Sequence, residues 1–177
     1  MRFVLIIFSF CLSLNILSKV IDSGIIDAEK GIVFLQYENG AKYTGTINKK
    51  GCHGYGELRW NNGDIYEGDW IDGKRTGKGK FTWSDGNFYV GEYKNNERYG
   101  QGNYSTSNGY QYIGEFVKNK KNGFGIEISN KKNLKSKYAG YFKNGRKHGD
   151  GKVTVEFSSG EIRNFEGIWN EDYFTFG

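Results

Sequence analysis

Six times along this chain an aromatic residue is followed, two positions later, by glycine. The aromatics are Tyr43, Tyr66, Tyr89, Tyr112, Tyr138 and Phe165, and the glycines are Gly45, Gly68, Gly91, Gly114, Gly140 and Gly167. The spacings are 23, 23, 23, 26 and 27 residues. Two positions further on stand Ile47, Trp70, Tyr93, Phe116, Phe142 and Trp169. G-x-G pairs follow at Gly54/Gly56, Gly77/Gly79, Gly100/Gly102, Gly123/Gly125 and Gly149/Gly151. A fixed period of this length means a row of like supersecondary units, none of which can bury its apolar face alone.

Within a unit the period is two. In "YEGDW" Tyr66, Gly68 and Trp70 point one way while Glu67 and Asp69 point the other. In "GKGKFTW" Gly77, Gly79, Phe81 and Trp83 are expected on one face, with Lys78, Lys80 and Thr82 opposite. Such alternation marks half-buried antiparallel strands. The connectors "IDGKRT" and "SDGN" carry turn residues. Each unit therefore reads as one β-hairpin, and the fold class as all-β. An inward glycine weakens a strand by itself, but it leaves room for a ring from a neighbouring strand to lie flat. The composition agrees: 27 glycines, no proline and 17% aromatics suit aromatic-over-glycine packing, not collagen or disorder.

These residues, Y-x-G-x-W followed by G-x-G-x-F and a further glycine at a 23-residue period, resemble the MORN repeat (membrane occupation and recognition nexus). The resemblance covers Tyr43 to Trp169. It implies an elongated, twisted rod of stacked antiparallel hairpins, with spacer, dimer and adaptor roles. The repeats are 43–65, 66–88, 89–111, 112–137 and 138–164, with a partial sixth at 165–177. Residues 19–42 read as a linker and an N-terminal capping strand. Repeat 4 departs from the pattern: in "GFGIEISNKKNLKSK" Ile126 and Ile128 fall on the outward face and Glu127 on the inward one. A one-residue slip would restore the isoleucines to the core, so a bulge is expected between Gly125 and Ile128.

The first residues differ in kind. "MRFVLIIFSFCLSLNILSK" has one arginine and then 15 uncharged residues, Phe3 to Leu17. A helix of that length spans roughly 22 Å, short of the roughly 30 Å hydrocarbon core. Residues 1–18 read as a secretory signal peptide, with a short signal anchor as the alternative. Cleavage would place the chain in the secretory pathway, secreted or lumenal; an uncleaved leader would anchor it with lumenal repeats. Cys11 would leave with the leader, so Cys52 is expected as a lone thiol. Asn103-Tyr104-Ser105 is a glycosylation triplet, with Asn103 the acceptor.

The sequence offers little that looks catalytic. "GKRTGKGK" resembles a phosphate loop, but only three residues separate Gly73 from Gly77-Lys78, and Gly79 stands where Ser or Thr should be. No G-x-S-x-G or H-E-x-x-H occurs. His53 and His148 lie four repeats apart, too far to share a metal. The expectation is no enzyme, cofactor, metal or small-molecule substrate.

Charge says more. The connectors after the position two past each leading glycine (Ile47, Trp70, Tyr93, Phe116 and Phe142) hold twelve basic residues: Lys49, Lys50, Lys74, Arg75, Lys94, Arg98, Lys118, Lys120, Lys121, Lys143, Arg146 and Lys147, against the acids Asp72 and Glu97. Stacked hairpins would line these up as a basic comb able to face anionic lipid headgroups, each cation near an acidic membrane contributing about 1 kcal/mol. Acids gather instead on the outward face of the first strands, at Glu67, Asp69, Glu92, Glu115 and Glu166. Nucleic acid is disfavoured, since inward aromatics cannot stack on bases. At the other end, if "DYFTFG" does not fold back, Trp169, Tyr173 and Phe174 would form an open edge for strand addition. The expected function is a non-enzymatic scaffold that binds a protein or itself. The alternatives are peripheral binding of anionic lipid and secreted glycan binding.

Overall fold

The computed structural model describes residues 20–132 and 134–175; the leader at 1–18, with Cys11, lies outside them. The described residues are strands joined by turns, without a helix. They form two compact units, one of residues 20–84 with Tyr93–Asn96 and one of Asp85–Glu92 with residues 97–175.

The first unit holds β1 (Val20–Asp27), β2 (Ile32–Tyr37), β3 (Lys42–Asn48), β4 (Gly51–Arg59), β5 (Ile65–Ile71) and β6 (Lys74–Thr82). Each pairs antiparallel with the next. The stretch read as a linker therefore contains a strand of its own, β1, ahead of the capping strand β2. β7 (Phe88–Lys94) contributes residues to both units. The second unit holds β8 (Glu97–Ser105), β9 (Tyr110–Val117), β10 (Lys120–Lys131), β11 (Leu134–Lys143), β12 (Arg146–Phe157), β13 (Ile162–Asn170) and β14 (Tyr173–Thr175). These too pair antiparallel in chain order. The all-β array of hairpins is the architecture the period demands.

The core of each unit is a row of rings. In the first unit Tyr66 meets Trp70 and Tyr93 edge to face at 5.0 and 5.2 Å, and Tyr43 meets Trp70 at 5.9 Å. In the second, Tyr89 and Tyr112 both meet Phe116, Tyr112 and Tyr138 both meet Phe142, and Tyr138 meets Trp169, all within 5.3 Å. Edge-to-face contact is the geometry that aromatic quadrupoles favour. Every leading tyrosine lies flat against two glycines: Tyr66 covers Gly68 and Gly79, and Tyr138 covers Gly140 and Gly151.

The hairpins share a bulge. In β5–β6 the register shifts between Gly68 and Trp70, and matching shifts occur in β3–β4, β9–β10 and β11–β12. Gly77 sits in that bulge with φ +56, and a Cβ there would run into the Asp69 side chain on the outward face. Gly77 thus does not share the inward face with Gly79 and Phe81. The bulge also explains two of the acids of the first strands, since Asp69 accepts from the Lys78 N–H at 2.9 Å and Glu92 from the Gln101 N–H at 3.1 Å. It explains tyrosine over phenylalanine as well. The hydroxyls of Tyr43, Tyr66, Tyr89, Tyr112 and Tyr138 each donate to the carbonyl three residues on, at 2.7 to 3.1 Å. A buried phenol is thereby satisfied where the ladder is interrupted.

Repeat 4 does not slip. Its shift lies between Asn122 and Gly125, as in the other hairpins, and the pairing then runs unbroken to Ser129. On the other side β10 and β11 stay in register from Gly123↔Phe142 to Lys131↔Leu134. The three inserted residues lengthen the hairpin, and Glu127 stays inward. Cys52 is also corrected. It is fully buried and disulfide-bonded. The lone-thiol expectation rested on discounting Cys11 together with the leader.

Burial pushes the phenols of Tyr37, Tyr89 and Tyr138 up to about 12, and those of Tyr43, Tyr66 and Tyr112 up as well. A folded-state value raised above the unfolded one contributes stability that is complete below the ordinary value of 10.0 and is lost as pH rises through the folded value. In an alkaline titration the buried tyrosines should stay protonated past that ordinary value and ionise as the chain unfolds. Uniform ionisation of all 13 tyrosines at their ordinary value would contradict this packing.

Candidate functional site

The twelve basic residues do not form one comb. The connectors that carry these cations are true turns of only two residues, such as Asp72-Gly73 (φ 51 and 77) and Lys118-Asn119 (φ 49 and 67). The second residue beyond the turn is already strand. Arg75 lies opposite Trp70, Lys121 opposite Phe116 and Lys147 opposite Phe142. Residues directly opposite in an antiparallel pair share a face, so these side chains point inward.

They lie over the aromatic row. The Arg75 guanidinium is 5.3 to 5.5 Å from the ring centres of Tyr66, Phe81 and Tyr93. Arg98 is 5.2 to 5.6 Å from Tyr89, Tyr104 and Phe116. Lys121 sits 4.7 Å from Phe142, and Lys147 4.9 Å from Tyr138. Each such contact is worth about 0.5–2 kcal/mol, more as water is excluded.

The same residues tie neighbouring hairpins together. Arg75 donates from its backbone N–H to Asn96 Oδ1 at 2.8 Å and from Nη2 to the Asn96 carbonyl at 3.0 Å, and accepts the Asn96 N–H at 3.0 Å. Arg98 and Asn119 repeat the arrangement. Asp172 accepts from the Lys147 N–H at 2.9 Å and donates to its carbonyl at 3.0 Å. Arg75, Arg98, Lys121 and Lys147 are therefore internal fastenings. Their common signal is in the sequence: all stand nine residues after the leading tyrosine, in core register, as does the buried Cys52.

Eight cations remain at the turns and are exposed: Lys49, Lys50, Lys74 and Lys94 in the first unit, and Lys118, Lys120, Lys143 and Arg146 in the second. Two of them face acids. Lys50 lies 3.0 Å from Asp72, whose carboxyl is held below its ordinary value by the Asn48 amide and by Lys50. Arg146 lies 2.8 Å from Glu171. His53 is bonded into the Asn48–Asp72 group, at 2.9 Å from Asn48.

The second unit holds a charged cluster that no pattern suggested. Glu127, inward in β10, is bonded to Lys121 Nζ, lies 3.1 Å from Lys147 Nζ and accepts the Tyr110 hydroxyl at 2.8 Å. All three charged side chains are mostly buried. Burial alone would raise the Glu127 carboxyl. The hydrogen bond and charge of Lys121, the charge of Lys147 and the Tyr110 hydroxyl outweigh it and hold the group below its ordinary value. The expected slip failed because it assumed no inward cation was there to receive a carboxylate.

At the C-terminal end the chain folds back. β14 pairs with Ile168–Asn170, and Phe174 stacks on Trp169 at 5.0 Å. Trp169 and Phe174 are therefore half-buried, while Tyr173 is 78% exposed. The open edge lies instead along Ile162–Glu166, which pairs with β12 and has no strand on its other side among the described residues. Asn103 stands within β8, its side chain accepting from Gln111 at 3.1 Å.

The MORN repeat family model matches at residues 43–65, 66–88, 89–109, 112–133 and 138–154, more than half of the chain. The chain belongs to the MORN repeat family. MORN repeats are in general protein or membrane interaction modules, and the family is typically non-enzymatic. No curated protein matches the chain.

Proposed function

We propose that this chain is a non-enzymatic scaffold that engages another protein chain, a second copy included. One observation carries the reading: the residues that define the repeat are occupied with one another. The tyrosine hydroxyls bond the bulge carbonyls, the glycines receive the rings, and the inward cations fasten successive hairpins. What remains for a partner is the outside of the sheet and its edges. The unpaired side of β13 offers strand addition, with Ile162 60% and Phe165 38% exposed. Sedimentation of the full chain over a range of concentrations tests this. Self-association is expected, and Ile162→Lys should abolish it. Identical sedimentation of the two proteins would remove the edge from the proposal.

The eight exposed turn cations favour a second reading, contact with anionic lipid headgroups. Flotation with anionic and neutral vesicles at low and raised salt decides it, because binding through solvated lysines must weaken as salt rises. Glycan binding through the repeat aromatics is less well supported, as the leading tyrosines of repeats 1 to 5 are at most 2% exposed. The leader suggests export, so the first residue of the mature protein is the measurement that matters. The intact mass of the mature chain shows whether residues 1–18 have been removed.

A further inference from the structure

Repeat 4 abandons the outward polarity of its neighbours. Fourteen and sixteen residues after the leading tyrosine, the other repeats hold Glu57 and Arg59, Lys80 and Thr82, Asn103 and Ser105, and Lys152 and Thr154, whereas repeat 4 holds Ile126 and Ile128. In β10, Ile126 lies opposite Ile113 of β9 and Ala139 of β11. Phe124 lies opposite Tyr141, their rings 5.7 Å apart. Ile113 is 43%, Phe124 54% and Tyr141 52% exposed. These side chains form one outward apolar patch on the second unit.

The chain could hide part of this patch by slipping one residue, and two contacts prevent it. Gly125 must lie under Tyr112, and Glu127 is held inside by Lys121, Lys147 and Tyr110. A buried carboxylate with two ammonium partners is a poor way to stabilise a core and a good way to fix a register. Here the register it fixes keeps the isoleucines outside.

The patch has a charge polarity. Exposed Lys137 stands opposite Ile128 and exposed Lys152 opposite Ala139, with Lys131 and Lys132 exposed at the end of the β10–β11 hairpin. The outward acids Glu115 and Asp150 lie toward the other end of the strands, beyond Ile113 and Lys152, while Glu166 of β13 stands opposite Lys152 and Glu156 pairs with Lys135 at 3.3 Å, which leaves Lys137 as the cation facing the apolar patch. We infer that this face of the second unit docks a protein segment of alternating apolar and acidic residues. Its apolar side chains cover Ile113, Phe124 and Ile126, and its carboxylates meet Lys137 and, beyond it, Lys131 and Lys132 at the hairpin end. Complementary charge of this kind sets orientation and partner choice, while the apolar centre supplies affinity.

The inference rests on the interaction-module reading but is tested apart from it, since sedimentation of the β13 variant reports self-association whatever this face binds. Fluorescence anisotropy of the full chain would use three labelled peptides: alternating leucine and glutamate, alternating leucine and lysine, and alternating glycine and glutamate. Saturable binding is expected for the first alone. Ile126→Ser and Phe124→Ser should each weaken it about tenfold or more, with circular dichroism unchanged. Lys137→Glu should weaken it too and admit the leucine–lysine peptide. Binding of none of the peptides, equal binding of the two leucine peptides, or binding indifferent to both apolar variants would overturn the inference. So would self-association or anionic-vesicle binding that Ile126→Ser removes, because the face would then belong to a second copy or to a membrane.

Discussion

Gly79→Ala should destabilise the chain by about 3 kcal/mol, at the upper end of what overpacking usually costs. An added Cβ would stand 2.4 Å from the Tyr66 hydroxyl oxygen and 2.7 Å from two carbons of its ring. A ring can give way only if it has somewhere to go, and Tyr66 has not. It is fully buried, its hydroxyl is bonded to the Asp69 carbonyl, Trp70 and Tyr93 meet it edge to face, and the Arg75 guanidinium lies over it. The strand cannot retreat either, because Gly79 pairs directly with Gly68. Urea unfolding followed by tryptophan fluorescence measures the loss. Gly24→Ala is the control: a Cβ there meets nothing within 4 Å, so its effect should stay within about 0.5 kcal/mol. Removing the ring should relieve the clash, so Gly79→Ala combined with Tyr66→Leu should lose less than the sum of the two changes. Strict additivity, or a Gly79→Ala protein as stable as the parent, would mean that the glycines are not there to receive the rings.

The same residues show what could be read from the sequence. Tyr66, Gly68, Trp70, Gly79 and Phe81 announced a hairpin because their spacing of two leaves no other face for them. The 23-residue period announced stacking because one hairpin cannot bury rings of that size. The turn length could not be read in the same way. "IDGKRT" holds polar residues from Asp72 to Thr76 that sequence alone could place in a longer turn, yet only Asp72 and Gly73 take left-handed conformations. That difference moved Arg75, and with it Arg98, Lys121 and Lys147, from the surface to the core. Charge was the misleading cue, since lysine and arginine are rarely placed inside unless something receives them. Aromatic faces and the next hairpin's turn do so here. The position was nonetheless legible by register alone, at a fixed nine residues from each leading tyrosine. Phe174, which stacks on Trp169, holds that position in the last hairpin.

Glu127 is where the two inward patterns meet, and its removal should be at least as damaging. Glu127→Gln keeps the shape and deletes the charge, leaving Lys121 and Lys147 facing each other with only an amide between them. Breaking a mostly buried pair by deleting one partner costs about 3 kcal/mol or somewhat more. Losing the charge and its partner together should cost far less: Glu127→Leu with Lys121→Met replaces the central ion pair with apolar volume next to Phe142 and Tyr112. Position 127 corresponds to Leu58, Phe81 and Val153 in other repeats, so an apolar side chain fits the framework. Acid should separate the variants further. The Glu127 carboxyl is held below its ordinary value in the folded chain, so its contribution is present above the unfolded value of 4.5 and is lost as pH falls through the folded one. The stability gap between the parent and Glu127→Gln should therefore be full at neutral pH and shrink below about pH 4, as the parent takes up the proton that the amide never needs. A gap that stays constant into acid would show that the carboxylate holds repeat 4 by shape and not by charge. A slip in Glu127→Leu alone would show as lost hydrogen-exchange protection confined to β10 and its neighbours. The double variant, which also removes the inward Lys121 ammonium left without its carboxylate, should keep that protection.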